Sequence, residues 1–279
     1  MVRNERILIH LHLPKTAGTT LRTIADRNYT GGEIYTVSRP YAEQGEELRG
    51  LPEQRRREIK LLRGHMVFGL HEHFDRPAHY FTVLRDPVER IISAYYYVCR
   101  TPALPYYGEV VGQNMSLEDF AASRLPQTYN QQTGLISGRY DDFTNALEIA
   151  KHNLSTHFIV AGISERFDET LLLLKKQLGW RRIFYHRQNV TRNRPARSEV
   201  PKSAIRLIER RNALDMELYE IALRKFDETL RAQGLLAEQV RHFRRLNRVY
   251  DGAGACVDAA RGVVPPRAKR FIKRIVNRA

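Results

Sequence analysis

Hydrophobic positions in this chain fall in short unbroken runs separated by helical patterns. Arg6 to Leu13 is an apolar run with no formal charge between Ile7 and Leu13, which predicts a buried strand that Pro14 stops. Gly18 to Ala25 follows with Leu21, Ile24 and Ala25 on one helical face. Residues 28–58 read as irregular and polar, with a charged run at Arg55-Arg56-Arg57-Glu58. A second strand is predicted over Glu58–Leu62, ending at Gly64, and a third over His79–Leu84. Asp86, Pro87 and Glu89 then form a strong helix start: a cap, a proline at the first position and an acid at the third. That helix runs to about Val98. Further helices are expected at 116–124, 129–137, 143–152 and Phe167–Leu178, with a strand at Thr156–Ala161 between them. Two or three more helices fill 201–248.

Strands alternating with helices predict an α/β fold, a parallel central sheet with helices on both faces and a helical C-terminal region. No internal repeat is visible. The division expected is one catalytic domain over residues 1–250 and a basic extension over 251–279. In that extension Phe271, Ile272, Ile275 and Val276 share one helical face, rimmed by Lys and Arg. Such a helix either lies on an anionic membrane surface or packs on its own chain.

Composition narrows the partners. The 279 residues carry a net charge of +15, which attracts nucleotides, polyanionic glycans, nucleic acid or lipid headgroups without choosing among them. The two cysteines, Cys99 and Cys256, give neither a disulfide framework nor a metal-site spacing. No apolar run of about 18 residues is present to span a membrane, and no signal-peptide stretch opens the chain. The expectation is a soluble, cytoplasmic protein, in which sequons at Asn114, Asn153 and Asn189 are chance matches.

Chemistry concentrates where strands turn into helices. In His12-Leu-Pro-Lys-Thr-Ala-Gly-Thr-Thr-Leu21 a strand ends, a loop carries Lys15, and a helix begins near Gly18. Free backbone N–H groups and the positive end of the helix dipole make an anion site there. Thr16, Thr19 and Thr20 add hydroxyls, and Gly18 allows close approach. This is the physics of a P-loop without its sequence, because Lys15 precedes the only glycine. The second corner is Phe81-Thr-Val-Leu-Arg-Asp-Pro-Val-Glu-Arg-Ile-Ile-Ser93. Arg85 sits at the carboxyl end of a strand, the edge where open α/β sheets bind ligands, and Ser93 lies two turns inside the next helix. Arg85 either forks onto a phosphate or pairs with Asp86 or Glu89. At a third strand end stands Arg63-Gly64-His65, with His71, His73 and His79 nearby. His10 and His12 read as structural residues of the first strand.

The two corners together resemble the PAPS-dependent sulfotransferases (PAPS is 3'-phosphoadenosine-5'-phosphosulfate), and among them the family-2 group that includes heparan and uronyl 2-O-sulfotransferases. The resemblance covers roughly residues 7–230 in the same order. It implies a P-loop-NTPase-like sheet. It implies that Lys15, Thr16, Ala17, Gly18, Thr19 and Thr20 hold the 5'-phosphosulfate and that Arg85 and Ser93 hold the 3'-phosphate. Asn130-Gln-Gln and Gly162-Ile-Ser-Glu-Arg-Phe167 look like further family landmarks. The Gly-His pair implies His65 as general base; Arg63 stands where those enzymes often have a second His, a departure that touches the acceptor contacts.

The reaction expected is sulfuryl transfer from PAPS to a carbohydrate hydroxyl, with an anionic acceptor favoured by the charge. Lys15 would neutralise the leaving phosphate and His65 would deprotonate the acceptor, with no metal. The basic loop Asn189–Arg197 either closes over the nucleotide or is solvated. Two rivals remain: a P-loop-type kinase using ATP and Mg²⁺, for which Asp86 is the one acidic candidate at a strand end, and a basic nucleic-acid-binding protein, for which aromatic interleaving is sparse.

Overall fold

The computed structural model describes residues 6–186 and 195–259, the last seven of these by backbone alone. Its core is a five-stranded, all-parallel sheet in the order β2-β3-β1-β4-β5. The strands are β1 (Ile7–Leu11), β2 (Ile34–Thr36), β3 (Leu61–Gly64), β4 (Ala78–Leu84) and β5 (Phe158–Ile163). Between β1 and β3 lie α1 (Gly18–Ala25), α2 (Gln44–Arg49) and α3 (Glu53–Glu58). After β4 come α4 (Pro87–Cys99), α5 (Tyr107–Gly112), α6 (Leu117–Ala122), α7 (Gln131–Ser137) and α8 (Ala146–Thr156). After β5 the chain is helical: α9 (Phe167–Leu178), α10 (Lys202–Arg211), α11 (Ala213–Ala232) and α12 (Ala237–Ala259). The α/β fold with a parallel sheet and a helical C-terminal region is thus as expected.

β1 is central because its apolar run can be buried on both faces, and all five of its residues are. It pairs with β3 on one side and β4 on the other. Strand order reverses between β1 and β4, so a crevice opens at their carboxyl ends. The main core gathers both faces of the sheet with α1, α8, α9 and α11. A second apolar cluster joins α4 to α5, α6 and α10, beside that crevice, and half-buried Cys99 packs against it.

Several boundaries differ from expectation. The stretch 28–58 holds an edge strand and two short helices rather than irregular chain. The second strand begins at Leu61, because α3 runs to Glu58 and Ile59 is its extended cap. Asn130 and Asn145 adopt left-handed backbone, φ 38° and 57°, so α7 and α8 start only at Gln131 and Ala146, two and three residues after the expected starts. α8 continues to Thr156, which moves the last strand two residues on. α12 runs to Ala259, past residue 248 where the helical pattern was expected to end. The amphipathic segment 264–278 and most of the loop 189–197 lie outside the described residues.

Candidate active site

The first corner is shaped by its backbone. Thr82 Oγ1 on β4 donates to Leu11 O at 2.7 Å and pins the end of β1. Beyond Pro14, Lys15 and Ala17 are both left-handed, φ 67° and 65°, with Thr16 between them. Alternation of this kind turns successive N–H groups to one side and makes an anion-binding concavity. α1 then starts without a side-chain cap, so its first N–H groups are left for a ligand. Thr19 is exposed and Thr20 nearly buried. Thr16 departs from expectation: its hydroxyl is buried and donates to Leu13 O at 2.8 Å, bracing the loop from beneath. Lys15 Nζ lies 3.5 Å from the centre of the Tyr97 ring. Burial, then Arg100 and Arg85, lower the Lys15 pKa to about 8.

The second corner is built from side chains. Asp86 caps α4 by accepting from Glu89 N at 2.9 Å, and Pro87 takes the first helical position. Gln132, buried at the start of α7, holds both backbone groups of Arg85: its Oε1 accepts from Arg85 N at 3.0 Å and its Nε2 donates to Arg85 O at 2.9 Å. Arg85 Nη1 donates to Lys15 O at 3.0 Å, which ties the two corners together. Its guanidinium also meets Glu89 at 3.5 Å and Glu165 at 3.6 Å. Arg85 therefore makes the Glu89 pairing that the sequence offered as one of its two readings. Glu165 accepts from Tyr219 Oη at 3.0 Å, and burial raises its pKa.

The third contribution comes from strand register. Leu11 pairs with Gly64, so His12 and His65 are the next neighbours beyond the paired ends. Their rings stack with centroids 4.2 Å apart. His65 Nδ1 lies 3.0 Å from His12 O. A carbonyl only accepts, so Nδ1 carries the proton and donates, which leaves Nε2 bare in the neutral ring. Although His65 is exposed to the cleft, desolvation by the surrounding protein lowers its pKa below the ordinary value, partly offset by the His12 carbonyl. The ring is therefore neutral and basic at pH 7. Gln44 Nε2 anchors the segment by donating to His65 O at 2.9 Å.

One cavity of about 400 Å³ gathers these parts. Lys15, Ala17, Gly18, Thr19, Thr20, His65, Arg85 and Ser93 all line it. Of the residues expected at the site, Thr16 alone is not in its wall. A second cavity of about 480 Å³ lies on the other side of His12, Gly18, Thr19 and His65, lined further by His10, Arg22, Asp26, Thr36 and Arg63. Arg63 there is held by Asp26 Oδ1 at 2.5 Å and Thr36 Oγ1 at 3.1 Å. Among the described residues no group of three or more His, Cys, Asp or Glu is placed to hold a metal ion.

Sequence reasoning missed His12, Tyr97, Gln132 and Glu165. Tyr97 had a signal: Arg85, Glu89, Ser93 and Tyr97 follow one another at intervals of four, and the last three share one face of α4. Glu165 and Gln132 lie inside two of the segments read as family landmarks. Glu165 lies in the Gly162–Phe167 segment, and the Asn130-Gln-Gln segment resolves into three roles. Asn130 Oδ1 accepts from Leu214 N and Asp215 N, Gln131 accepts from buried Arg90, and Gln132 braces Arg85. Asp86, the candidate Mg²⁺ ligand of a kinase, is engaged as a helix cap and in an ion pair with Arg197 at 3.1 Å.

No curated protein matches this chain. Among solved structures, mouse sulfotransferase SULT7A1 complexed with PAP is similar at 14% identity, over 87% of this chain and 89% of that one, with a TM-score of 0.37. The profile of the Sulfotransferase family (Sulfotransfer_2) matches residues 1–222. That span takes in both strand-to-helix corners, the histidine at the third strand end and the caps that brace them. The chain belongs to the sulfotransferase family and is a PAPS-dependent enzyme.

Proposed function

We propose that this sulfotransferase acts on a hydroxyl of a carbohydrate, with His65 as the general base and Lys15 as the cation that stabilises the leaving phosphate. The observation that carries this reading is the single cavity onto which Lys15, His65, Arg85 and Ser93 converge from three strand ends. The donor set suits PAPS: a left-handed loop, an uncapped helix start, one lysine, one arginine and hydroxyls, all chemistry for phosphate and sulfate oxygens. The net charge of +15 favours an anionic glycan or saccharide as acceptor.

PAPS, when bound, supplies a sulfuryl group on a good phosphate leaving group. The chain supplies the rest. His65 Nε2 takes the acceptor hydroxyl proton as the new O–S bond forms, a contribution of about 10²–10⁴-fold. Lys15, the first turn of α1 and the left-handed loop face the charge that arrives on the phosphate oxygen as the old S–O bond breaks. Arg85 and Ser93 hold the 3'-phosphate and so fix the donor. The proton leaves His65 to solvent.

Calorimetry tests the donor site first. Adenosine 3',5'-bisphosphate is expected to bind at micromolar concentration without Mg²⁺, ahead of AMP and ATP, and binding is expected to fail in Arg85→Ala. A preference for ATP with Mg²⁺ would overturn the reading. A screen of neutral and anionic saccharides with PAPS then identifies the acceptor. In that assay His65→Ala is expected to lose at least about 10²-fold in turnover.

A further inference from the structure

The rings of Phe81, His10, His12 and His65 form a continuous column across the sheet. His10 stacks on Phe81 with centroids 4.8 Å apart, His12 lies 5.5 Å from His10, and His65 lies 4.2 Å from His12. Strand geometry produces it. Phe81 and His10 are register partners on β4 and β1, His10 and His12 share a face at i, i+2, and His65 follows Gly64 beside His12. His12 is also locked from above. A Cβ on Gly18 would come within 1.6 Å of His12 Nε2, so the ring lies directly on the first residue of α1. The ring thus touches the base on one side and the start of the phosphosulfate loop's helix on the other. It lines both cavities.

We propose that His12 is a positioning residue for the reaction: its ring, wedged between His10 and Gly18, holds the His65 imidazole in the plane that keeps Nδ1 on the His12 carbonyl and leaves Nε2 open to the cleft. This rests on the reading of His65 as base. The carbonyl alone fixes one nitrogen but leaves the ring free to turn about that bond; the stack at 4.2 Å removes that freedom. The stack also closes one face of His65 to water, which disfavours its charged form. His12 can play this part because it stays neutral itself: burial, then His65, His10, Lys15 and Arg22, all disfavour a proton on it. His10 is held neutral likewise by burial, with Arg63 and His65 adding to it, and its pKa falls to about 3. Two imidazolium rings in face contact would repel, so the column works only as an uncharged stack.

Nitrogen-15 NMR of the histidine rings tests this, with His65→Gln giving the assignment. In the parent protein His65 is expected as the Nδ1-protonated tautomer, titrating below its ordinary value. His12→Ala is expected to give a tautomer mixture and to move the His65 titration upward. His12→Phe keeps a flat ring and is expected to restore both signatures. Thermal melting confirms that each variant is folded. If His65 keeps its tautomer and titration in His12→Ala, or if His12→Phe behaves as His12→Ala does, the inference is overturned. Failure of the general-base reading shows elsewhere, as turnover that survives His65→Ala, so the two ideas fall separately.

Discussion

The two strand-to-helix corners share one topology and solve the same problem in opposite ways. At β1–α1 the helix start has no side-chain cap and two left-handed residues precede it, so the backbone itself is the surface proposed to bind the donor. At β4–α4 the helix start is capped by Asp86, and Arg85 is gripped through both of its backbone groups by Gln132, so the corner offers a side chain. In the proposed reading one corner binds with what it leaves unsatisfied, the other with what it has fixed. The contrast predicts that the first is sensitive to shape and the second to its bracing.

Gly18→Ala is the severest test of the first corner. Its Cβ has no room beside His12, so the loop must move, and bisphosphate affinity is expected to fall by at least about 10²-fold, as for a misplaced binding group. An affinity within threefold of the parent, by calorimetry, would show that the backbone surface is not what binds. Gln132→Leu tests the second corner. It removes both hydrogen bonds that Gln132 makes to the part-buried backbone of Arg85, and the expected loss is about 2 kcal/mol in chemical denaturation together with weaker bisphosphate binding. Loss of stability without loss of binding would mean that Arg85 needs no brace.

The pH dependence separates the corners further. Lys15 is charged below its pKa of about 8 and neutral above it, so bisphosphate affinity is expected to fall as pH rises beyond 8, about tenfold per unit at most. Arg85 stays charged throughout that range and contributes no such slope. For turnover the acid limb belongs to His65: its lowered pKa means that the base is protonated and lost only as pH falls below about 6.5. A kcat/KM profile with no acid-side fall below the ordinary histidine range would contradict the His65 assignment, and one with no fall above pH 8 the Lys15 assignment. Asp86→Ala should have the smallest effect. The missing helix cap is worth about 1 kcal/mol of stability, with bisphosphate affinity changed far less than in Gln132→Leu.

What the sequence disclosed follows the same division. β1, β4 and α4 were legible because unbroken apolar runs and a proline-led cap are local signals. β2 was not: it has three residues at the sheet edge, none of them fully buried, so no hydrophobic pattern marks it. α5 was hidden by glycines at both Gly108 and Gly112. Of the cavity-lining residues, Lys15, Arg85 and His65 drew notice because each stands just beyond a strand end, and Ser93 because it lies eight residues beyond Arg85, two turns inside α4. Gln132 lies 47 residues from the arginine that it holds, and only the folded chain brings them together. His12 was read as structural because its partner is set by the Leu11–Gly64 register, which no single strand reveals.

The helix that carries Gln132 is itself capped from far along the chain. Asp215 accepts from the backbone of Gln132 and Thr133 at the start of α7, and Asn212 accepts from Asn130 N; Asn130 returns the favour by accepting from Leu214 N and Asp215 N. A nascent chain that has emerged as far as residue 200 therefore carries every strand of the sheet and both binding corners, yet lacks the groups that seat α7 and, through it, Arg85. The groups proposed to hold the donor lie in the first hundred residues, but the caps that seat α7, whose Gln132 braces Arg85, come only with the start of the eleventh helix.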